Sequence, residues 1–186
     1  MTFLDHWTRV RGETGFGVNL LLVVSGAVLM TVSAKFQVPL YPVPLSLQTL
    51  VAIGLGFALG PLLGGAAVFV YLVQGAMGLP VFAGTPQLGI GLPYMLGPTG
   101  GFLVGFLLAS IVAGMFVRAG FARGVVATLT VALLAGASVY VPGLLWLGRY
   151  VGFGNGLLEA GLYPFLAGDV FKAILAALLF PMIGRV

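Results

Sequence analysis

Long runs of apolar residues, separated by glycine, proline or charge, make up most of this chain. Runs of about 20 apolar residues are long enough to cross a bilayer as helices. The alternating apolar and polar positions of membrane β-strands are not seen. The pattern predicts an all-α, polytopic membrane protein, with residues 1–186 forming a single membrane domain. Its six predicted transmembrane helices lie near 17–36, 46–60, 62–79, 98–118, 124–146 and 163–184.

The boundary between the second and third predicted helices depends on two residues. Only Gly60 and Pro61 interrupt the apolar stretch 47–79. A single helix of that length would overshoot the hydrocarbon thickness of a bilayer. Glycine followed by proline favours a turn, so we expect a tight hairpin between two helices.

The composition of the chain excludes several classes of protein. The chain is 60% hydrophobic and only 6% charged, whereas soluble domains carry about 25% charged residues. Its eight Lys and Arg are dispersed along the chain, so we expect no nucleic-acid partner. There is no cysteine and His6 is the single histidine. We therefore predict that the chain has no metal site and no cofactor. We also predict that it is not an enzyme, since neither a catalytic triad nor a phosphate-binding loop is present.

The positions of the cations predict the orientation. The N-terminal segment is too polar for a cleavable signal peptide, so the first apolar run should remain as a helix in the membrane. One side of the membrane would hold Lys35 and Arg149. The other side would hold Arg9, Arg11, Arg118, Arg123 and Arg185. Because cytoplasmic loops carry an excess of Lys and Arg, both termini are expected in the cytoplasm.

An acidic and a basic residue stand out in the last predicted helix. Asp169 and Lys172 are three positions apart, so their side chains share one helix face. Either charge alone at the centre of a membrane helix costs about 2.5–3.5 kcal/mol, and such a residue is a functional-site hypothesis by default. The alternative is a neutralised pair that only locks helix packing. On the predicted topology, the pair faces a cavity that is reached from outside.

Two loops are expected on the same outer side. The first contains Pro39, Pro42 and Pro44, which predict a stiff, extended connector. The second joins the third and fourth helices and is long enough to act as a lid or a ligand clamp. The alternative is a mobile surface loop. Its candidate ligand-contacting residues are Phe82, Thr85, Gln87, Tyr94 and Thr99.

Small residues recur at four-residue spacing in several helices, which allows helices to approach closely. In the fourth helix we expect this stripe to pack within the chain. The first helix has an imperfect small face formed by Ala27, Thr31 and Ala34. The other stripes are Gly56, Gly60 and Gly64, and Gly101, Gly105, Ala109 and Ala113.

Four ordered motifs resemble those of the BioY family, the biotin-binding S components of energy-coupling-factor transporters. The resemblance covers residues 36–180, and the motifs are VPLYPVPLSLQTL, GLPVF, GPTGGFLVGF and PFLAGDVFKA. It implies the six-helix S-component fold and capture of biotin at the outer side of a bacterial cytoplasmic membrane. It also implies partners, namely a coupling transmembrane protein and two ATPase subunits.

The resemblance also suggests roles for particular residues. Asp169 and Lys172 match ligand-contacting positions of the family. Ala27 and Thr31 only approximate the small-residue motif on which S components dock their coupling protein. With Gln48, the charged pair can supply the polar contacts that the ureido ring and carboxylate of biotin need, and Phe82 and Tyr94 can supply apolar walls. Which end of biotin faces Lys172 is left open, as is the formation of a homo-oligomer.

The main alternative is an autonomous secondary transporter or channel in which Asp169 carries protons or cations. Such transporters often contain internal repeats, and no convincing repeat relates residues 1–92 to residues 93–186. A membrane enzyme acting on a lipid-like substrate ranks third, because nucleophiles and metal ligands are lacking.

Overall fold

The computed structural model describes residues 15–183, most of which are helical. The helices are α1 (Phe16–Lys35), α2 (Gln48–Ala76), α3 (Gly91–Met95), α4 (Gly100–Arg118), α5 (Val125–Val151), α6 (Asn155–Gly161) and α7 (Tyr163–Ile183). Five helical stretches are long and apolar enough to cross a membrane: α1, α2, α4, α5 and the stretch Asn155–Phe180. The predicted fold class is therefore confirmed, and the chain is an all-α, multi-pass membrane protein.

Helix α2 folds back on itself at Gly60. This residue has a φ of 76° and a ψ of −178°, which no α-helix contains, and glycine adopts a positive φ without steric cost. Gln48 Nε2 lies 2.6 Å from the hydroxyl of Tyr71, although a straight helix would separate these residues by about 34 Å. The predicted hairpin is thus confirmed, and its arms, 48–59 and 61–76, bring the number of main helical segments to six.

The connections contain more structure than the sequence pattern predicts. Strands β1 (Gln37–Val38) and β2 (Leu45–Ser46) form a small antiparallel pair within the proline-rich connector. Helix α5 extends to Val151, beyond the predicted boundary at 146, and stops at Gly152, whose φ is 84°. The short helix α6 was not predicted.

Close backbone contacts hold α2, α4 and α5 together. A Cβ atom on Gly56 would overlap the carbonyl oxygen of Ser110, and one on Gly105 would lie 2.6 Å from the carbonyl oxygen of Val139. Ala109 and Ala113 are fully buried on the same stripe of α4. The stripe therefore packs within the chain, as the sequence analysis favoured.

The small residues of α1 also face the protein interior. Ala27 and Ala34 are fully buried, and a Cβ atom on neighbouring Gly26 would lie 2.7 Å from the Cβ atom of Ala67. In this structure the chain itself covers both side chains, and their docking role stays a prediction. Thr31 is half-buried and donates its hydroxyl to the carbonyl oxygen of Ala27 at 3.0 Å, so its docking role stays a prediction.

The described cations separate towards the two ends of the bundle. Arg118 ends the helix in which Gly114 packs against Pro61 of the α2 turn. At the opposite end, Lys35 contacts the 80–85 segment, and Arg149 stacks on Trp146. Arg9, Arg11 and Arg185, on which the orientation also depends, lie outside the described residues, as does His6.

We predict that Gly56→Ala lowers the free energy of unfolding by about 2 kcal/mol, because the new methyl group overpacks a rigid backbone contact. Gly136→Ala is the matched control, since the nearest atom to its Cβ would lie 3.9 Å away on Ile53. In a helix this change should be neutral or stabilising by up to about 1 kcal/mol. Thermal unfolding of both variants in one detergent checks this, and equal shifts would contradict it.

Candidate ligand-binding site

A mainly apolar cavity with several polar side chains lies where the proline-rich connector, the start of α2, the 80–99 segment, α4, α5 and α7 meet. Its volume is about 30 Å³, enough for one or two water molecules. Its apolar lining includes Val43, Leu45, Phe102, Phe106, Val139 and Phe165, and its polar lining includes Ser46, Gln48, Thr49, Thr99, Tyr140, Asp169 and Lys172. We call this space the inner cavity.

The charged pair of α7 forms one wall of the inner cavity. Lys172 Nζ lies 2.8 Å from Asp169 Oδ1, and the side chains are 5% and 17% exposed, respectively. The hydroxyl of Tyr140 on α5 donates to the other carboxylate oxygen, Oδ2. Both oxygens are thus paired, as a carboxylate in apolar surroundings requires. The prediction that Asp169 and Lys172 share one face of the helix is confirmed.

Tyr140 is a site residue that the sequence analysis missed. It lies 29 positions before Asp169, on a different helix and among apolar residues. Nothing in the spacing of the sequence distinguishes it from a tyrosine that packs in the core or faces lipid.

Gln48 lines the inner cavity, but its amide is already engaged. Ser46 Oγ donates to Gln48 Oε1 at 2.9 Å, and Gln48 Nε2 donates to the hydroxyl of Tyr71 at 2.6 Å. An amide nitrogen carries two hydrogens, so one donor remains for a ligand. Gln48 therefore joins the two arms of α2 as well as lining the cavity.

Phe82 and Thr85 lie behind the cavity wall. Phe82 is fully buried, stacks on Tyr94 with ring centroids 5.1 Å apart and meets Tyr71 edge-on at 5.4 Å. The buried Thr85 donates its hydroxyl to the carbonyl oxygen of Phe82 at 2.7 Å. The residue between them, Ala83, lines the inner cavity. Phe82 thus supports the wall from behind, and its contact with a ligand stays a prediction.

A larger outer cavity of about 610 Å³ adjoins the inner one. Pro44 and Thr99 line both spaces. The volume lies within the range of about 300–1,000 Å³ that is typical of ligand pockets. Other residues that line the outer cavity are Gln37, Pro39, Leu40, Tyr41, Pro42, Gly84, Gln87, Leu88, Pro93, Tyr94, Gly97 and Pro98.

Six of the predicted site residues line one or both of these cavities, and Phe82 and Thr85 line neither. Asp169, Lys172 and Gln48 line the inner cavity, Gln87 and Tyr94 line the outer cavity, and Thr99 lines both. The hydroxyl of Tyr94 donates to the carbonyl oxygen of Ala83 at 2.7 Å. Burial raises the pKa of Tyr94, so the phenol stays protonated and remains a donor at physiological pH.

Two aromatic residues of α5 hold the far end of the long loop. Trp146 Nε1 donates to the carbonyl oxygen of Gly97 at 2.9 Å, and the hydroxyl of Tyr150 donates to that of Leu96. Residues 86–90 between the held parts are exposed. If this loop closes over a ligand, 86–90 is therefore the part that is free to move.

The side chains that line the inner cavity suit the binding of a small ligand. Within the described part of the chain, no group of three or more His, Cys, Asp or Glu could hold a metal ion. The inner cavity offers a carboxylate, an ammonium group, hydroxyl groups and an amide within apolar walls. Such a lining suits a small ligand that carries donors and acceptors on an apolar body.

The fold places the chain in a known structural class. It superposes on the crystal structure of the S-component for biotin from an ECF-type ABC transporter with a TM-score of 0.81. The match covers 94% of this chain and 96% of that chain at 24% sequence identity. The chain therefore has the S-component fold.

The sequence comparisons identify the family. The profile of the BioY family matches residues 10–186. The chain is 38% identical to the probable biotin transporter BioY of Pyrococcus horikoshii, across 85% of this chain and 91% of that protein. It is 35% identical to the biotin transporter BioY of Thermotoga maritima, across 81% and 86% of the two chains. The chain belongs to the BioY family, which confirms the resemblance seen in its motifs.

We predict that Tyr140→Phe lowers the free energy of unfolding by about 2 kcal/mol, because a half-buried carboxylate oxygen loses its hydrogen-bond donor. Tyr163→Phe is the matched control, since Tyr163 is exposed at the start of α7 and should tolerate the change within about 0.5 kcal/mol. Thermal unfolding in detergent compares the two variants. A Tyr140→Phe protein as stable as wild type would contradict a stabilising hydrogen bond between Tyr140 and Asp169.

Proposed function

We propose that this chain captures biotin and serves as the substrate-specific subunit for biotin uptake across the cytoplasmic membrane. The observation that carries the proposal is the Asp169–Lys172 pair, buried in the wall of an apolar cavity at one end of the bundle. The names of the BioY relatives support biotin as the ligand.

Biotin matches the chemistry of the inner cavity. Its ureido ring presents two N–H donors and one carbonyl acceptor, and its other end is a carboxylate. Asp169 can accept from an N–H group, while Lys172 can donate to either the ureido carbonyl or the carboxylate. The apolar bicycle can pack against Phe102 and Phe165, two aromatic residues of the lining. Because a buried donor or acceptor left unpaired is costly, such a site rejects analogues that lack the ureido group.

Access runs through the outer cavity in this proposal. The inner cavity of about 30 Å³ holds water-sized groups only, whereas the outer cavity has the volume of a ligand pocket. Biotin would enter the outer cavity and reach Asp169 when the shared boundary at Pro44 and Thr99 widens. The exposed residues 86–90 and the proline-rich connector are the segments that would move.

Energy for uptake would come from other subunits. The chain has the S-component fold, and from this likeness we infer a coupling transmembrane protein and two ATPase subunits as partners. We infer that both termini lie in the cytoplasm and that the cavities open to the outside. The excess of cations on the proposed cytoplasmic side supports this orientation: Arg9, Arg11, Arg118, Arg123 and Arg185 against Lys35 and Arg149.

Ion coupling by Asp169 is a weaker proposal. A carboxylate that carries protons or cations has to exchange its partners, and here Lys172 and Tyr140 occupy both of its oxygens. The pairing favours a carboxylate whose contacts stay fixed.

We predict that the purified chain binds biotin with a nanomolar dissociation constant, roughly −12 kcal/mol, in the absence of nucleotide. The reason is that the cavity lining complements both the polar and the apolar parts of biotin. Isothermal titration in detergent measures the affinity. Binding weaker than micromolar, or binding that appears only with added partner subunits and ATP, would contradict the proposal.

We also predict that Asp169→Asn and Lys172→Met each weaken biotin binding by at least about 2 kcal/mol, because each removes a ligand contact and leaves its partner unpaired. The Asp169→Asn, Lys172→Met double variant separates these two effects. Glu159→Gln is the matched control, since Glu159 is an exposed carboxylate on α6 and should leave affinity unchanged. A double variant that binds biotin like wild type would show that the pair is only structural.

A further inference from the structure

The last residue of α1, Lys35, reaches across to the 80–85 segment. Its ammonium nitrogen lies 2.6 Å from the carbonyl oxygen of Pro80, 3.0 Å from that of Phe82 and 3.3 Å from that of Thr85. The hydroxyl oxygen of Thr85 is a fourth neighbour at 3.1 Å. An ammonium group has three hydrogens, so every one of them has an acceptor in this segment.

These acceptors are neutral. Among the described residues, the one ion pair joins Asp169 to Lys172, so Lys35 has no carboxylate partner there. Hydrogen bonds from a charged donor are roughly twice as strong as neutral ones. The charged end of Lys35, an exposed side chain, therefore contacts the backbone carbonyl groups of a non-helical segment.

Side chains from other helices complete the arrangement. The hydroxyl of Tyr71 contacts the carbonyl oxygen of Val81 at 3.5 Å, and that of Tyr94 donates to Ala83 at 2.7 Å. The carbonyl groups of residues 80, 81, 82, 83 and 85 thus each accept from a side chain. Lys35 holds three of these five groups, including both ends of the segment.

We propose that Lys35 is a positioning residue for ligand retention. It keeps the 80–85 segment in the shape that presents Ala83 to the inner cavity, so losing it loosens that wall. Lys35 lines neither cavity and acts through the segment, with no contact to the ligand. The inference rests on the proposed function for its effect on biotin, but its structural part can be measured without a ligand.

The first experiment is ligand-free and uses the absence of cysteine from the chain. Ala83 is 3% exposed, so Ala83→Cys should react slowly with a maleimide in the otherwise unchanged protein. Adding Lys35→Met should speed labelling by about tenfold or more, because hydrogen bonds from a charged donor are lost. Adding Arg149→Met is the matched control, since it removes another cation at this end without touching the segment, and it should leave the rate unchanged. Equal rates with and without Lys35 would overturn the proposal.

The second experiment measures biotin release. Lys35→Met should dissociate radiolabelled biotin about tenfold faster, as expected for the loss of charge-assisted bonds, with the association rate unchanged. Lys35→Arg keeps a charged donor and should fall between wild type and Lys35→Met. Size-exclusion profiles and unfolding temperatures of the variants confirm that they are folded.

A third experiment compares biotin with biotinamide, in which an uncharged amide replaces the carboxylate. The comparison shows whether Lys35 acts by positioning the segment or by attracting the charge of the ligand. A positioning role predicts the same acceleration of release for biotin and biotinamide. A loss confined to the association rate, or to biotin alone, would overturn the proposal. If wild-type protein binds neither compound, the proposed function fails, and the labelling experiment still decides whether Lys35 holds the wall.

Discussion

Most of this structure depends on the pairing of polar groups in apolar surroundings, to which Gln37 Oε1 and Ser110 Oγ are exceptions among the described residues. An unpaired backbone group in hydrocarbon costs several kcal/mol, so helices form wherever the chain crosses the membrane. Where the backbone is not helical, side chains replace the missing partners. Lys35, Tyr71 and Tyr94 bind the carbonyl groups of 80–85, and Trp146 binds Gly97. The loops around the cavities are therefore held by hydrogen bonds from side chains, whereas the helices are held by hydrogen bonds within their own backbone.

The candidate site follows the same rule. Asp169 is tolerated in the cavity wall because Lys172 and Tyr140 pair both of its oxygens. Close glycine contacts between α4 and α5 bring Tyr140 within reach of α7, since a side chain at Gly105 would push α5 away. Packing in the core and hydrogen bonding at the site are therefore linked. On binding, biotin would replace some of the hydrogen bonds that Asp169 makes with Lys172 and Tyr140.

Features that depend on local spacing could be predicted from the sequence. The apolar runs predicted the helices, Gly60 and Pro61 predicted the hairpin, and the i, i+3 spacing predicted that Asp169 and Lys172 share a face. Features that depend on tertiary contacts could not. Tyr140 meets Asp169 from another helix, and Lys35 was read only as a charge on the outer side. The sequence also could not show that Gly75 leaves room for the Phe82 ring behind the cavity wall, or that α1 turns Ala34 inwards.

The central claim is that biotin binds at the Asp169–Lys172 pair. A crystal structure of the chain with bound biotin tests it most directly. The account predicts that polar atoms of biotin lie about 3 Å from the carboxylate of Asp169 or the ammonium group of Lys172, with the bicycle against Phe102 or Phe165. Biotin confined to the outer cavity, with the Asp169–Lys172–Tyr140 contacts undisturbed and no ligand atom near them, would contradict it.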